Sequence, residues 1–97
     1  MNATDISLTQ NPKTAYRVIA DEAFVIDLDT NMLYSLNAVG ALVWDMSSEK
    51  TKIKDIIDGI TDEFEVERSV AEEDCLEFVR AFADRGLLIA DGDLKED

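Results

Sequence analysis

From residue 16 to residue 36 the chain alternates short apolar runs with polar breaks, and from residue 37 its apolar positions recur at helical spacing. Tyr16-Arg17-Val18-Ile19-Ala20 has strand composition, and Asp21-Glu22 reads as a turn. In Phe24-Val25-Ile26-Asp27-Leu28, residues Phe24, Ile26 and Leu28 share one face, the period-two signature of a half-buried strand. Asp29-Thr30-Asn31 is a turn cluster, and Met32 to Leu36 forms a third strand. Links this short predict an antiparallel meander.

The third strand runs directly into a helix. Asn37 is a natural cap, because its side chain can accept from first-turn N–H groups that have no carbonyl partner. The first helix spans about Ala38 to Met46, with Val39, Leu42, Val43 and Met46 at i, i+3, i+4 and i+7. It is apolar nearly all round, so it must be buried. Trp44 lies off that stripe; it either packs under the sheet or a neighbouring helix, or anchors a partner. Thr51 is the predicted cap of a second helix carrying Ile53, Ile56, Ile57, Ile60 and Phe64 on one stripe. Gly59 weakens that helix and admits a close neighbour. Ser69-Val70-Ala71-Glu72 fits a capping box and predicts a third helix to about Asp84. Its apolar arc is wide, with Cys75, Val79 and Phe82 at the centre and Phe78 and Leu76 at opposite edges. One edge is free to line a groove. Gly86 is the expected left-handed terminator, and Leu87 to Ala90 is a short apolar close.

These elements divide the chain into a flexible polar arm (1–14), one domain (15–90) and an acidic tail (91–97) expected to be disordered. Strands followed by helices predict an α+β class. The specific expectation is a small winged-helix-like domain, a three-stranded antiparallel sheet followed by three helices. At 97 residues there is room for one core. Hydrophobic residues at 46% and charged residues at 32% fit a globular rather than a disordered chain. No run of eighteen apolar residues occurs, and Met1-Asn2-Ala3-Thr4-Asp5 lacks the regions of a secretory signal, so a cytoplasmic protein is expected. The net charge of −13 opposes phosphate backbones and anionic lipid, which predicts neither nucleic-acid nor membrane partners. It reads either as a solvated acidic surface or as steering toward a basic peptide or enzyme face.

Candidate chemistry is sparse. With one cysteine and no histidine, the usual zinc sites and the Ser-His-Asp and Cys-His arrangements are excluded. Carboxylate pairs such as Asp27/Asp29 and Asp62/Glu63 read as solvated faces, and Cys75 as an inert core thiol. The residues favour a non-catalytic binding module without metal or cofactor. A three-stranded sheet has edges, and an edge left open binds an extra strand through backbone hydrogen bonds. Met32 to Leu36 carries no proline and no charge, so it is undefended if it lies at the edge; the alternative is a central or covered strand. Two other classes are an acidic carrier or protein-interaction module and a winged-helix regulator. The first lacks an Asp-Ser pair, and the second would press the third helix's carboxylates against phosphates.

The spaced residues Tyr34-x-Leu36-Asn37-x-x-Gly40-x-x-x-Trp44, then Ile56, Ile60, Phe64, Asp74, Phe78 and Gly86-Leu87-Leu88, resemble the PqqD family. The resemblance covers roughly residues 15–90. It implies a small peptide chaperone, or recognition element for ribosomally made, post-translationally modified peptides. Such a protein binds a precursor's leader segment as a strand added to the third strand, here Asn31, Met32, Leu33, Tyr34, Ser35 and Leu36. Side chains would enter a groove against the third helix, drawing on Cys75, Phe78, Val79 and Phe82. The resemblance also implies delivery to a modifying enzyme, often a radical S-adenosylmethionine (radical SAM) enzyme. Members dedicated to pyrroloquinoline quinone (PQQ) biosynthesis carry a Tyr-Pro-Glu-Gly-type stretch where this chain has Asp29-Thr30-Asn31-Met32. That departure points to some other modified peptide.

Overall fold

The computed structural model describes residues 2–94. After a short 3-10 turn at Ala3–Asp5, its order is β1 (Ser7–Gln10), β2 (Thr14–Ile19), β3 (Glu22–Asp27), β4 (Leu33–Leu36) and α1 (Ala38–Met46). Then come β5 (Thr51–Lys52), α2 (Ile53–Glu63), α3 (Arg68–Asp84) and β6 (Leu88–Ala90). The expected α+β layout is present: β2-β3-β4 form an antiparallel meander, and three helices follow.

A second small sheet, ordered β5-β1-β6, corrects the reading of the N-terminus as a mobile arm. β1 pairs antiparallel with both neighbours, and Leu8 at its centre is 0% exposed. Ala3 and Ile6 are buried beside it. Four residues were too few to show a period, yet one leucine on an enclosed strand is enough to anchor it. The tail is corrected likewise over its described part. The Asp91 carboxylate accepts the Ser7 N–H at 2.8 Å, and that hydrogen bond, with Lys50 nearby, holds its pKa below the usual carboxylate value. Leu94 packs against the core and its carbonyl accepts from Arg80 Nε at 3.0 Å. Residues 95–97 lie outside the described residues.

The β2–β3 hairpin turns on Ala20 (φ 51°) and Asp21 (φ 67°), one position earlier than the pattern suggested. Two successive left-handed residues match the twist of the flanking strands. Within β3 the buried residue is Val25; its partners Tyr16 and Tyr34 share its face. Side chains alternate across a strand, so Phe24, Ile26 and Leu28 point outward, away from the helices. The alternation was real, but the face it suggested as buried is the outer one: Leu28 is 53% exposed.

The core is the set of contacts among the helices and the inner sheet face. Asn37 caps α1, accepting the Gly40 N–H at 2.7 Å. Val43 and Trp44 are buried, so Trp44 is a core residue, edge-on to Phe82 with ring centroids 6.2 Å apart. The α2 stripe is buried as expected at Ile53, Ile56, Ile57 and Ile60. Met46 lies against Gly59, where an added Cβ would stand 2.6 Å from its sulfur, which explains the glycine. Two predicted caps are corrected. Thr51 sits in β5, its hydroxyl donating to the Met46 carbonyl at 2.7 Å, and α3 begins at Arg68, so Ser69 is inside the helix rather than capping it. Gly86, at φ 74°, ends α3 as expected.

Candidate peptide-binding edge and groove

β4 is an outer strand, bonded to β3 on one side only. Its backbone groups can be assigned from the ladder. The Asp27 N–H donates to the Met32 carbonyl at 2.9 Å, so that pair is hydrogen-bonded. Antiparallel pairs alternate between bonded and non-bonded. Val25–Tyr34 and Ala23–Leu36 are therefore bonded pairs, whereas Ile26–Leu33 and Phe24–Ser35 are not. The N–H and C=O groups of Leu33 and Ser35 consequently face away from β3, along the free edge.

The opposite edge, β2, is defended. Arg17 turns its guanidinium back to donate to the Tyr16 carbonyl at 2.9 Å, and Lys13 stands at the strand's start in a pair with Asp29. Charged side chains on an outer strand discourage further pairing. β4 has none from Leu33 to Leu36. Of the two edges, β4 is the one left receptive.

Beside that edge runs α3. Tyr34, half-buried on the inner face of β4, meets Phe82 edge-on at 6.1 Å, and the Arg85 guanidinium lies 5.2 Å above the Tyr34 ring. Phe78 stacks on Phe82 with centroids 4.1 Å apart. Near the other end of β4, a cavity of about 210 Å³ is lined by Asn37, Val39, Gly40, Asp74, Glu77, Phe78 and Ala81. A Cβ on Gly40 would stand 2.8 Å from Phe78 Cε2. The glycine thus lets the start of α1 close against the Phe78 ring.

The site residues inferred from sequence therefore separate. Leu33, Tyr34, Ser35 and Leu36 form the edge strand; Asn31 (φ 62°) and Met32 lead into it, both exposed. Phe78 is half-buried and lines the cavity, so it is the edge of the α3 arc that opens onto the groove; Leu76, at the other edge, is buried. Cys75 and Val79 are fully buried and Phe82 is 6% exposed. These three are corrected from groove to core. Burial, with Glu72 nearby, pushes the Cys75 thiol from 9.0 up to about 12, which leaves it protonated and unreactive. The reading missed Ala81, Asp74, Glu77 and Arg85. With Phe78 they lie at steps of three and four along one helix face, a signal hidden by counting only apolar positions.

Among the described residues there is no cluster of His, Cys, Asp and Glu suited to a metal ion, and no helix long and apolar enough to cross a membrane.

Comparison with known proteins places these features. Among solved structures, TbiB1 in complex with the TbiA(beta) leader peptide is 30% identical, with a TM-score of 0.76 over 88% of this chain and 99% of that one. Lasso peptide synthetase B1 complexed with the leader peptide, at 22% identity, shares the fold with a TM-score of 0.74, over 84% of this chain and 96% of that one. A search of curated proteins returned no match. The family model described as coenzyme PQQ synthesis protein D (PqqD) matches residues 22–88. That match spans well over half of the chain, from β3 to the start of β6, and the chain belongs to the PqqD family.

Proposed function

We propose that this protein is a non-catalytic recognition element that binds the leader segment of a ribosomally made precursor peptide as a strand added to β4. The observation that carries the reading is the undefended edge, with the Leu33 and Ser35 backbone groups turned outward beside the Tyr34–Phe78 wall. The similarity to TbiB1, a chain seen with a leader peptide, supports it. Backbone hydrogen bonds supply affinity in such an addition, and alternate side chains entering the groove supply selectivity. The bound precursor is then handed to a modifying enzyme, for which the family resemblance implies the radical SAM class. A ribosomally made peptide is met where it is synthesised, which gives a cytoplasmic site of action.

Ser35→Pro is the diagnostic variant. Proline removes one N–H, and it is tolerated on an outer strand where that N–H faces away from the sheet. The ladder to β3 loses nothing, because the Ser35 N–H does not serve it. One lost backbone bond contributes about 0.5–1.5 kcal/mol, and the ring adds steric exclusion of the guest, so affinity should drop roughly tenfold or more. Tyr34→Pro breaks the ladder itself and should unfold the meander. The assay is titration with candidate leader peptides, the TbiA(beta) leader seen with TbiB1 among them, read by amide shifts and calorimetry. Unshifted Leu33 and Ser35 amides at saturation, or Ser35→Pro binding as tightly as the parent, would refute strand addition.

A further inference from the structure

The groove beside β4 is not electrically uniform. Four residues of α3 border it at successive steps of four, three and four: Asp74, Phe78, Ala81 and Arg85. Asp74 and Glu77 line the cavity next to Asn37 and Gly40, hence near the C-terminal end of β4. Arg85 lies over Tyr34, toward the N-terminal end of β4. The middle of the face is apolar, Phe78 and Ala81. A guest on this edge therefore meets carboxylates, then an apolar wall, then a guanidinium.

We propose that this face selects the guest by charge order: a segment with a basic residue, an apolar residue two positions later and an acidic residue about two positions after that. The proposal deepens the strand-addition reading and rests on it. Direction follows from the sheet, in which every strand pair is antiparallel, the more stable pairing. An antiparallel guest starts beside the C-terminal end of β4, so its earlier residues meet Asp74 and Glu77 and its later ones meet Arg85. Spacing follows from the helix. Glu77 to Arg85 is eight residues, about 12 Å of helix at 1.5 Å each. About four residues of strand cover that distance at 3.3 Å each. Positions n, n+2 and n+4 of a strand share a face, so all three side chains point at α3 together. The excess of acidic residues elsewhere makes Arg85 the informative member. General attraction between a −13 chain and a basic peptide would not call for an acidic residue at a fixed position.

The test is a selection of random twelve-residue peptides on the immobilised full chain, followed by synthesis of the enriched peptides and their charge-swapped versions. The expected enrichment is Lys or Arg about four positions before Asp or Glu, with an apolar residue between. Each exposed charge pair contributes a few-fold. The selected peptide should therefore bind roughly 3–20-fold tighter than its swapped version, with the gap narrowing at 0.5 M salt. In a Glu77→Lys/Arg85→Glu chain the preference should invert. Asp74→Asn/Glu77→Gln, a milder change, should erase the basic-residue requirement if the double reversal does not fold. Amide shifts separate the two levels of inference. Peptides that move Leu33 and Ser35 yet show no charge order, or the reverse order, overturn the charge reading and leave strand addition standing. Peptides that move other amides, or a selection that enriches nothing, overturn both.

Discussion

Gly40→Ala tests whether the groove is as tightly closed as its geometry implies. In an exposed helix, alanine is favoured over glycine by about 1 kcal/mol. Here the new methyl would stand 2.8 Å from Phe78 Cε2 and 3.2 Å from both Phe78 Cδ2 and Asn37 Oδ1. Carbon atoms rest at about 3.5–4.0 Å, so ring or helix must retreat by roughly 0.7 Å or more. The ring cannot go deeper, because Phe82 is stacked behind it at 4.1 Å. It must swing into the groove, or α1 must lift. Overpacking of this kind costs about 1–3 kcal/mol, which offsets or exceeds the propensity gain and leaves a net loss of about 0–2 kcal/mol. The decisive quantity is a coupling. In a Phe78→Ala background the obstacle is gone, so Gly40→Ala should stabilise by about 0.5–1 kcal/mol, giving an interaction term of about 1–3 kcal/mol. Urea unfolding followed through Trp44, the one tryptophan and a buried one, measures all four chains. Each kcal/mol shifts the midpoint temperature by about 4–8 °C at this size. Equal effects of Gly40→Ala in the two backgrounds would show that α1 and Phe78 are not in contact, and the described groove wall would be wrong.

Two further outcomes follow from the core. Leu8→Ala should lower unfolding free energy by about 2–5 kcal/mol, since the side chain is wholly enclosed between β5 and β6; an unchanged denaturation curve would return the N-terminal residues to a loose arm. Cys75 has its folded pKa raised above the unfolded value, so the stability tied to its neutral form is complete below pH 9 and is lost between pH 9 and 12, at up to about 1.4 kcal/mol per pH unit. Unfolding curves over that range should show the slope in the parent but not in Cys75→Ala, and iodoacetamide at pH 8 should modify Cys75 only in urea.

What the sequence disclosed depended on how much pattern each element had room to display. The buried stripe of α2 was legible, because four isoleucines at helical spacing leave one solution, although its cap was not. α1 was legible through Asn37 and its dense apolar content, and the end of α3 through Gly86. The three strands of the β2-β3-β4 meander were legible too, but not which face lies inward. In β3 three apolar residues suggested one face, whereas burial is decided by what stands opposite, and the helices stand opposite Val25. β1, β5 and β6 have four, two and three residues, too short for periodicity, and their pairing joins residues more than forty positions apart. In the candidate site, the strand could be named in advance because it lies in one continuous segment, but its place at the sheet edge could not. The helix wall could not, since whether Cys75, Phe78, Val79 or Phe82 faces the groove depends on a rotation of α3 that only packing fixes.

An undefended edge is a hazard as well as a device, because it accepts any strand offered. β4 limits the hazard by being short: Asn37 turns the chain into α1 after four paired residues. Charge limits it further. A second copy of this chain carries −13, and its approach to β4 brings it against Asp74 and Glu77. The same carboxylates attract a basic guest. Refusal of the wrong strand and recruitment of the right one thus fall to the same groups, and neither needs a blocking residue on β4 itself. This is why the strand can leave its Leu33 and Ser35 backbone groups bare. Selectivity stands one layer back, on the helix, where it can vary without disturbing the hydrogen bonds that do the holding.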